Sequence, residues 1–242
     1  MAWGLWFHFW LVMMTFIFGS LAIIFSFIDP SRKLSQVMAK CWGRSLLFFG
    51  GIPVRVEGLE HLVPGQTYVY AANHRSNFDI FVLISLLPGK FLFVAKKSLF
   101  RIPLFGTVLT RMGYISVDRG NQAAAIRSLN NATARIKAGA SMIIFPEGTR
   151  ATVAELLPFK KGVFIMAQKA GQPIVPVSIS GTRFIQPRAS LRVRPGPVKV
   201  VISPPIHPQD FKRKEDLIAA VRQAVEANYD PDFPYGSGGA DG

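Results

Sequence analysis

The chain predicts an α/β fold: a mixed, largely buried sheet flanked by helices, preceded by an apolar helical element at the amino end. Three observations carry that prediction. From Pro53 onward, short β-rich runs alternate with longer helical stretches. Several of the runs are apolar throughout rather than alternating, the pattern of strands covered on both faces. Finally, Met1 to Ile28 contains no Asp, Glu, Lys or Arg, and His8 is its only titratable side chain.

Taken in order, the apolar segment 1–28 is long enough to cross a hydrocarbon core of about 30 Å. No basic region precedes it, so a cleaved secretory leader is not expected. Asp29 and Pro30 follow, then Arg32, Lys33, Lys40 and Arg44, cations that hold the downstream chain on the cytoplasmic side by the positive-inside rule. Trp3, Trp6 and Trp10 suit an interfacial belt. Residues 34–51 form a second apolar segment with isolated cations, better suited to lying in an interface than to crossing it. Residues 1–50 are thus read as a helical membrane-anchoring element; the alternative is a buried helix of a soluble core. Strands are expected at 54–56, 67–72, 91–95, 115–117, 141–145, 174–180 and 198–202. Helices are expected at 78–87, 104–112, 122–138, 162–170 and 215–228. These elements make up an αβ domain over residues 51–230. The remainder, 231–242 (PDFPYGSGGADG), is Gly/Pro-rich and expected to be disordered.

Composition narrows the function. The 242 residues are half apolar and 12% aromatic, enough for a sizeable core. The 28 Lys+Arg against 14 Asp+Glu give a formal charge of +14. That surplus suits a nucleic acid, or an anionic membrane surface with phosphorylated ligands. The uncharged amino-terminal segment and the lack of a nucleic-acid-binding motif favour the membrane. A single cysteine, Cys41, excludes an intrachain disulfide framework and fits a reducing, cytosolic-facing location. No Cys/His cluster has zinc spacing, and no metal is expected.

Three constellations carry chemistry. In Asn73-His74-Arg75-Ser76-Asn77-Phe78-Asp79, a regular helix would set His74 and Asp79 roughly 140° apart. They can meet only across a turn. Ala71-Ala72 ends a strand and Ser76 is a good N-cap, which would leave His74 outside the helix and Asp79 in its first turn. The carboxylate would then fix one ring nitrogen and free the other as a general base. The alternative is plain capping, since Ser76-x-x-Asp79 is itself a capping box. The second constellation, Gly113-Tyr114-Ile115-Ser116-Val117-Asp118-Arg119, follows Lys96-Lys97-Ser98-Leu99-Phe100-Arg101 and brings Arg119 to the end of a strand. Its alternative is an exposed Asp118–Arg119 pair of little energetic weight. The third is Phe145-Pro146-Glu147-Gly148-Thr149-Arg150, with Phe159-Lys160-Lys161-Gly162 downstream. Pro146 and Gly148 suit a type I turn. Turn formation alone leaves unexplained Thr149, Arg150 and an acid among cations. Arg150 has the planar fork that grips phosphate, and Gly162 can open a helix whose free N–H groups favour an anion.

These blocks together resemble the glycerolipid acyltransferases, specifically the 1-acyl-sn-glycerol-3-phosphate (lysophosphatidic acid) acyltransferases. Asn73-His74-x4-Asp79 is similar to the family's first block, and Gly113-x-Ile115-x-Val117-Asp118-Arg119 to its second. Phe145–Arg150 resembles the third and Ile174-Val175-Pro176-Val177 the fourth, and the resemblance covers roughly residues 35–205. Two departures stand out: Ala151 where serine is usual, and Arg75-Ser76-Asn77-Phe78 where Gln-Ser-Trp-Leu is commoner.

The resemblance implies a lysophospholipid acceptor and an acyl donor on coenzyme A or acyl carrier protein, as co-substrate rather than cofactor. It implies His74 as general base with Asp79 holding the ring. Arg119, Arg150, Lys160 and Lys96 would neutralise the acceptor phosphate, Glu147 and Thr149 would position the glycerol part and the arginine Arg150, and Gly148 belongs to the same acceptor site. An acyl chain needs an apolar groove, for which the aromatic-rich residues 91–105 offer one candidate wall; the alternative for most of those aromatics is core packing. It also implies a place on the cytoplasmic face of a membrane, the inner membrane if the source is bacterial, and no nucleic-acid partner. Rival readings are an acyltransferase for another lysophospholipid, lyso-ornithine lipid or glycerol 3-phosphate, and a non-catalytic phospholipid-binding protein.

Overall fold

The computed structural model of the chain describes residues 2–118, 120 and 122–235. Two helices come first, α1 (Ala2–Ile28) and α2 (Lys33–Phe49), then β1 (Val54–Glu57) and β2 (Val69–Ala72). Next are α3 (Phe78–Leu86), β3 (Phe91–Lys96), a 3-10 turn at Lys97–Arg101, α4 (Phe105–Met112) and β4 (Ile115–Val117). After α5 (Gln122–Lys137) come β5 (Ser141–Ile144), α6 (Lys161–Ala170), β6 (Ile174–Ser180) and the short α7 (Thr182–Ile185). The chain closes with β7 (Val198–Ile202) and α8 (Lys214–Asn228).

The strands form one seven-stranded sheet in the order β1-β7-β6-β2-β5-β3-β4. Every pair is parallel except β6–β7, so β1 and β7 run against the other strands. The register sets Val69 opposite both Met142 and Ile174, which makes β2 a central strand. Its residues are all buried, as are those of β5 and β6, and this is why those runs read as mainly apolar; the buried β6 hydroxyls are hydrogen-bonded, Ser178 donating to the Val225 carbonyl and Ser180 accepting the Asp230 N–H. Successive side chains feed two separate cores. Tyr70, Ala72, Ile143, Phe91 and Phe93 face a core shared with α1, α2 and α3. Val69, Ala71, Met142, Ile144 and Leu92 face one shared with α5, α6 and α8.

Strand ends differ from expectation by local chemistry. Thr67 turns its hydroxyl to Gln172 Oε1, and the Tyr68 N–H donates to Ser141 Oγ, so β2 starts at Val69 rather than 67. The Phe145 carbonyl accepts the Gly148 N–H instead of continuing the ladder, which ends β5 at Ile144.

The amino-terminal helices are part of the domain's core. Phe7 is buried against Phe78, ring centroids 4.9 Å apart, and also contacts Phe81. Burying such a side chain contributes about 1.5–3 kcal/mol. Trp10 stacks on Phe49 at 3.8 Å, and Trp42 donates to Thr15 Oγ1. Trp3 and Trp6 donate their indole N–H groups to the carbonyls of Gly50 and Phe49. At Gly43, a Cβ would lie 2.9 Å from the Phe81 carbonyl oxygen, so glycine lets α2 close onto α3. The rest of α1 stays uncovered: Leu5, Phe9, Val12, Phe16, Phe27 and Ile28 are exposed. Of the tail expected to be disordered, residues 231–235 form a turn whose Asp232 and Phe233 N–H groups donate to Asp230 Oδ1. Residues 236–242 lie outside the described residues.

Candidate active site

The first block leaves β2 and turns before α3 begins. Asn73 clamps this turn to β6: its Nδ2 donates to the Ile179 carbonyl at 2.8 Å and its Oδ1 accepts the Ile179 N–H at 2.7 Å. His74 and Asp79 meet across the turn, with Nδ1 2.8 Å from Oδ2. The same Oδ2 accepts the backbone N–H groups of Arg75 and Ser76, at 2.7 and 2.8 Å. The capping role and the histidine-orienting role therefore belong to one oxygen. Helix α3 begins at Phe78, with Asn77 rather than Ser76 as the flanking residue; Ser76 Oγ instead accepts the Phe78 N–H and donates to the Gln186 carbonyl. Asp79 is fully buried, so its carboxylate is held by these donors rather than by water. With Asp79 ionised, Nδ1 carries the ring proton and Nε2 is left with a lone pair. The ring lies flat on Phe145, centroids 3.9 Å apart at 12°.

The third block braces His74 from behind. The Ala151 N–H donates to the His74 carbonyl, and the His74 N–H donates to Glu147 Oε1 at 2.8 Å. Glu147 Oε2 accepts from Arg75 Nη1 at 3.0 Å and from the Leu157 N–H at 2.8 Å. This corrects the expectation for Glu147. Its carboxylate is 2% exposed and occupied by three protein donors, and the arginine it orients is Arg75 rather than Arg150. Arg75 also reaches the Tyr229 hydroxyl at 2.9 Å and the carbonyls of Ala154 and Glu155, tying α8 and the 151–157 loop to the histidine. Burial holds the Tyr229 phenol above its usual value, against the opposing pull of Arg75.

A cavity of about 560 Å³ opens in front of His74. Its lining includes the polar side chains of His74, Asn77, Lys96, Thr149, Arg150 and Arg188. Apolar lining comes from residues such as Phe18, Trp42, Ile84, Phe93, Phe105 and Val108, so the 91–105 stretch contributes to its wall. Arg150 Nη1 is steadied by Asn77 Oδ1 at 3.0 Å, and its backbone carbonyl accepts from Arg188 Nη1 at 2.9 Å.

Of the cations expected here, Lys96 and Arg150 thus line the cavity with His74. Lys160 instead crosses the turn glycine: a Cβ on Gly148, whose φ is 72°, would meet Lys160 Cε and Nζ at 2.7 Å. Gly148 is therefore a turn and clearance residue. Arg119 lies outside the described residues. Sequence reasoning missed Arg75, Asn77 and Arg188 as working residues. The only signal for Arg188 was the arginine-rich stretch holding Arg183, Arg188, Arg192 and Arg194.

Known proteins are similar to this chain in sequence and fold. The Acyltransferase family model covers residues 53–180, which include all four blocks. A Cocos nucifera relative, named 1-acyl-sn-glycerol-3-phosphate acyltransferase, is 38% identical over 79% of this chain and 61% of its own. This chain therefore spans about three-fifths of that relative's length. A Pseudomonas aeruginosa relative of the same name is 30% identical over 88% of this chain and 82% of its own. The crystal structure of the 1-acyl-sn-glycerophosphate (LPA) acyltransferase PlsC from Thermotoga maritima superposes with a TM-score of 0.85 at 28% identity, covering 93% of this chain and 92% of that one. Sequence over more than half of the residues and fold over nearly all of them agree: the chain belongs to the Acyltransferase family.

Proposed function

We propose that the protein transfers a fatty acyl group from an acyl thioester to the sn-2 hydroxyl of 1-acylglycerol 3-phosphate, giving phosphatidic acid. The observation that carries this reading is the His74–Asp79 pair on a cavity whose lining combines apolar side chains with Lys96, Arg150 and Arg188. Such a lining suits an acyl chain along its apolar side chains and a phosphorylated head group at its cations. The names of the Cocos nucifera and Pseudomonas aeruginosa relatives support the same reaction.

In the mechanism, Nε2 of His74 takes the proton of the sn-2 hydroxyl as its oxygen attacks the thioester carbonyl carbon. Asp79 stabilises the imidazolium that forms. When the tetrahedral intermediate collapses, the C–S bond breaks, and the departing thiolate takes the proton back from the imidazolium. A free thiol has a pKa of about 8.5, so it leaves without a protein acyl intermediate. Arg150, Arg188 and Lys96 offset the acceptor's phosphate charge. The reading requires neither a metal nor a bound cofactor.

The same reading sets α1 in the plane of an anionic membrane. A helix of 27 residues is about 40 Å long, enough to cross. Yet its buried side, Phe7, Met14, Gly19 and Ala22, is attached to the domain along most of that length. Crossing would drag the polar domain into hydrocarbon, whereas lying flat offers Leu5, Phe9, Val12 and Phe16 to the lipid.

The test is direct. Purified protein is incubated with lysophosphatidic acid and either acyl-coenzyme A or acyl carrier protein thioester, and the lipid product is identified by mass. Phosphatidic acid formation is expected with at least one donor. A product only from another lysophospholipid, lyso-ornithine lipid or glycerol 3-phosphate would move the acceptor assignment, and no product from any would favour a phospholipid-binding role.

A further inference from the structure

Near the end of β3 away from His74, two guanidinium groups converge, and Lys90 lies within range of their charge. Lys90 directly precedes β3, whose six residues at about 3.3 Å each set it roughly 20 Å from Lys96 at the cavity. Beside it, Gly113 ends α4 with φ 80°, and a Cβ there would meet Arg32 Nη1 at 2.5 Å and Arg135 Nη1 at 3.8 Å. Two guanidinium groups therefore converge over one glycine. Arg32 itself, at the start of α2, holds a left-handed backbone with φ 60°. A non-glycine residue there carries strain on the order of 1 kcal/mol. The Lys90 ammonium is held below its usual value, first by burial and then by Arg32 and Arg135, with Asp29 opposing.

Among the described residues, no acid forms an ion pair with Arg32, Lys90 or Arg135. The nearby Asp29 carboxylate accepts the N–H groups of Ser31 and Leu34. A groove of about 570 Å³ is lined by Gly113, Arg135, Asn131, Arg127 and Lys97, the last paired with Asp118, which also lines it. On the other side of this cluster, the α1–α2 turn exposes Phe27, Ile28 and Leu34, and the Arg111 guanidinium lies 3.9 Å from the Phe27 ring centroid.

We propose that Arg32, Lys90 and Arg135 bind the phosphate of an anionic phospholipid head group at the α1–α2 turn, a site separate from the catalytic cavity. The inference rests on the in-plane membrane reading of α1 given above. Planar guanidinium forks match a tetrahedral phosphate, and the lysine adds a point charge. A lipid is favoured over a soluble anion because the same turn presents apolar side chains that would enter the acyl region just below head-group level. Seating a head group there fixes the turn of the hairpin on the bilayer.

The experiment is partitioning of the purified protein onto vesicles of phosphatidylcholine alone or doped with phosphatidylglycerol. The Arg32→Lys/Arg135→Lys double variant keeps the charge and removes both forks. Diffuse attraction depends on charge, so it leaves this variant equal to wild type; a built site makes it about tenfold weaker on the doped vesicles. The Arg32→Ala/Arg135→Ala variant is compared with Lys33→Ala/Arg111→Ala, which removes the same charge beside the same turn. The control is expected to lose about fivefold per cation, and the site variant clearly more. Equal losses in the two alanine pairs, or wild-type partitioning of the lysine variant, would overturn the proposal. So would displacement of wild type to the variant's level by millimolar inorganic phosphate, which would make this a free-phosphate site. Acyl transfer by wild type in neutral detergent micelles is measured alongside. Its absence counts against the acyltransferase reading, while the head-group site stands or falls on the vesicle ratios alone.

Discussion

Replacing Glu147 by glutamine preserves the side chain's shape and removes its charge, and the structure sets the consequence. The carboxylate accepts the His74 and Leu157 N–H groups and pairs with Arg75, which would be left 2% exposed with its charge uncompensated. Removing one partner of a buried ion pair costs about 3–5 kcal/mol. Arg75 keeps its bonds to Tyr229 and to the carbonyls of Ala154 and Glu155, which favours the lower part of that range. At about 2–4 °C per kcal/mol for a chain of this size, Tm should fall by roughly 6–12 °C. The one remaining acceptor oxygen is drawn to Arg75 and the Leu157 N–H, which turns the amide NH2 towards the His74 N–H and removes that backbone anchor; a displacement on the order of 1 Å can cost up to about 10²-fold in turnover. Thermal unfolding in detergent and steady-state kinetics read the two effects. The expected pattern is a lower Tm and a lower kcat with little change in acceptor KM. A Tm within about 2 °C of wild type together with a raised acceptor KM would refute this reasoning and return Glu147 to direct contact with substrate. The Arg75→Met/Glu147→Leu double variant, which leaves no buried charge, should recover part of the lost Tm.

Other outcomes follow from the same geometry. His74→Ala should lower turnover by about 10²–10⁴-fold with an unchanged Tm. Asp79→Ala should lose a similar amount of activity and also stability, about 0.5–2 kcal/mol, because Oδ2 caps the Arg75 and Ser76 N–H groups. Equal Tm values for these two variants would count against the dual role of Oδ2. Arg150→Ala and Arg188→Ala should each raise KM for the phosphorylated acceptor and leave donor KM unmoved; a donor effect alone would relocate the phosphate. Burial pushes the Tyr114 phenol up from its usual value of about 10, as it does that of Tyr70. The folded state then keeps those protons longer than the unfolded state. This stability is complete below pH about 10 and is lost as pH rises towards the higher folded values. Tyr114→Phe should therefore move alkaline unfolding to higher pH, a shift visible by circular dichroism.

Much of the fold was legible in the letters because β2, β5 and β6 are buried on both faces. Such strands cannot carry a polar residue on alternate positions without burying it, so their runs stand out from the amphipathic helices between them. The four blocks were legible as a set only through their resemblance to a known family; the structure places each in or beside a strand. The hairpin was less legible. Segment 1–28 is apolar all round, and a helix without a polar face gives no sign of which side meets protein and which meets lipid. The His74–Asp79 spacing taken alone could be read as catalytic or as capping, and only the resemblance pointed to the catalytic role; the structure puts both contacts on Asp79 Oδ2.

What the sequence by itself determined is local: the alternation of strand and helix, the uncharged amino-terminal helix, the excess of cations, and the presence of a base and an acid on either side of a turn. Tertiary structure alone decided the strand order, the reversal of β7 and β1, and the attachment of α1 along the domain. It also decided that Glu147 faces Arg75 rather than a ligand, and that Arg188 joins Arg150 at the cavity. The physical reason is that these facts concern surfaces far apart along the chain. Which of them meet is settled by how two cores pack against a single sheet, and neighbouring residues in the sequence carry no record of that packing.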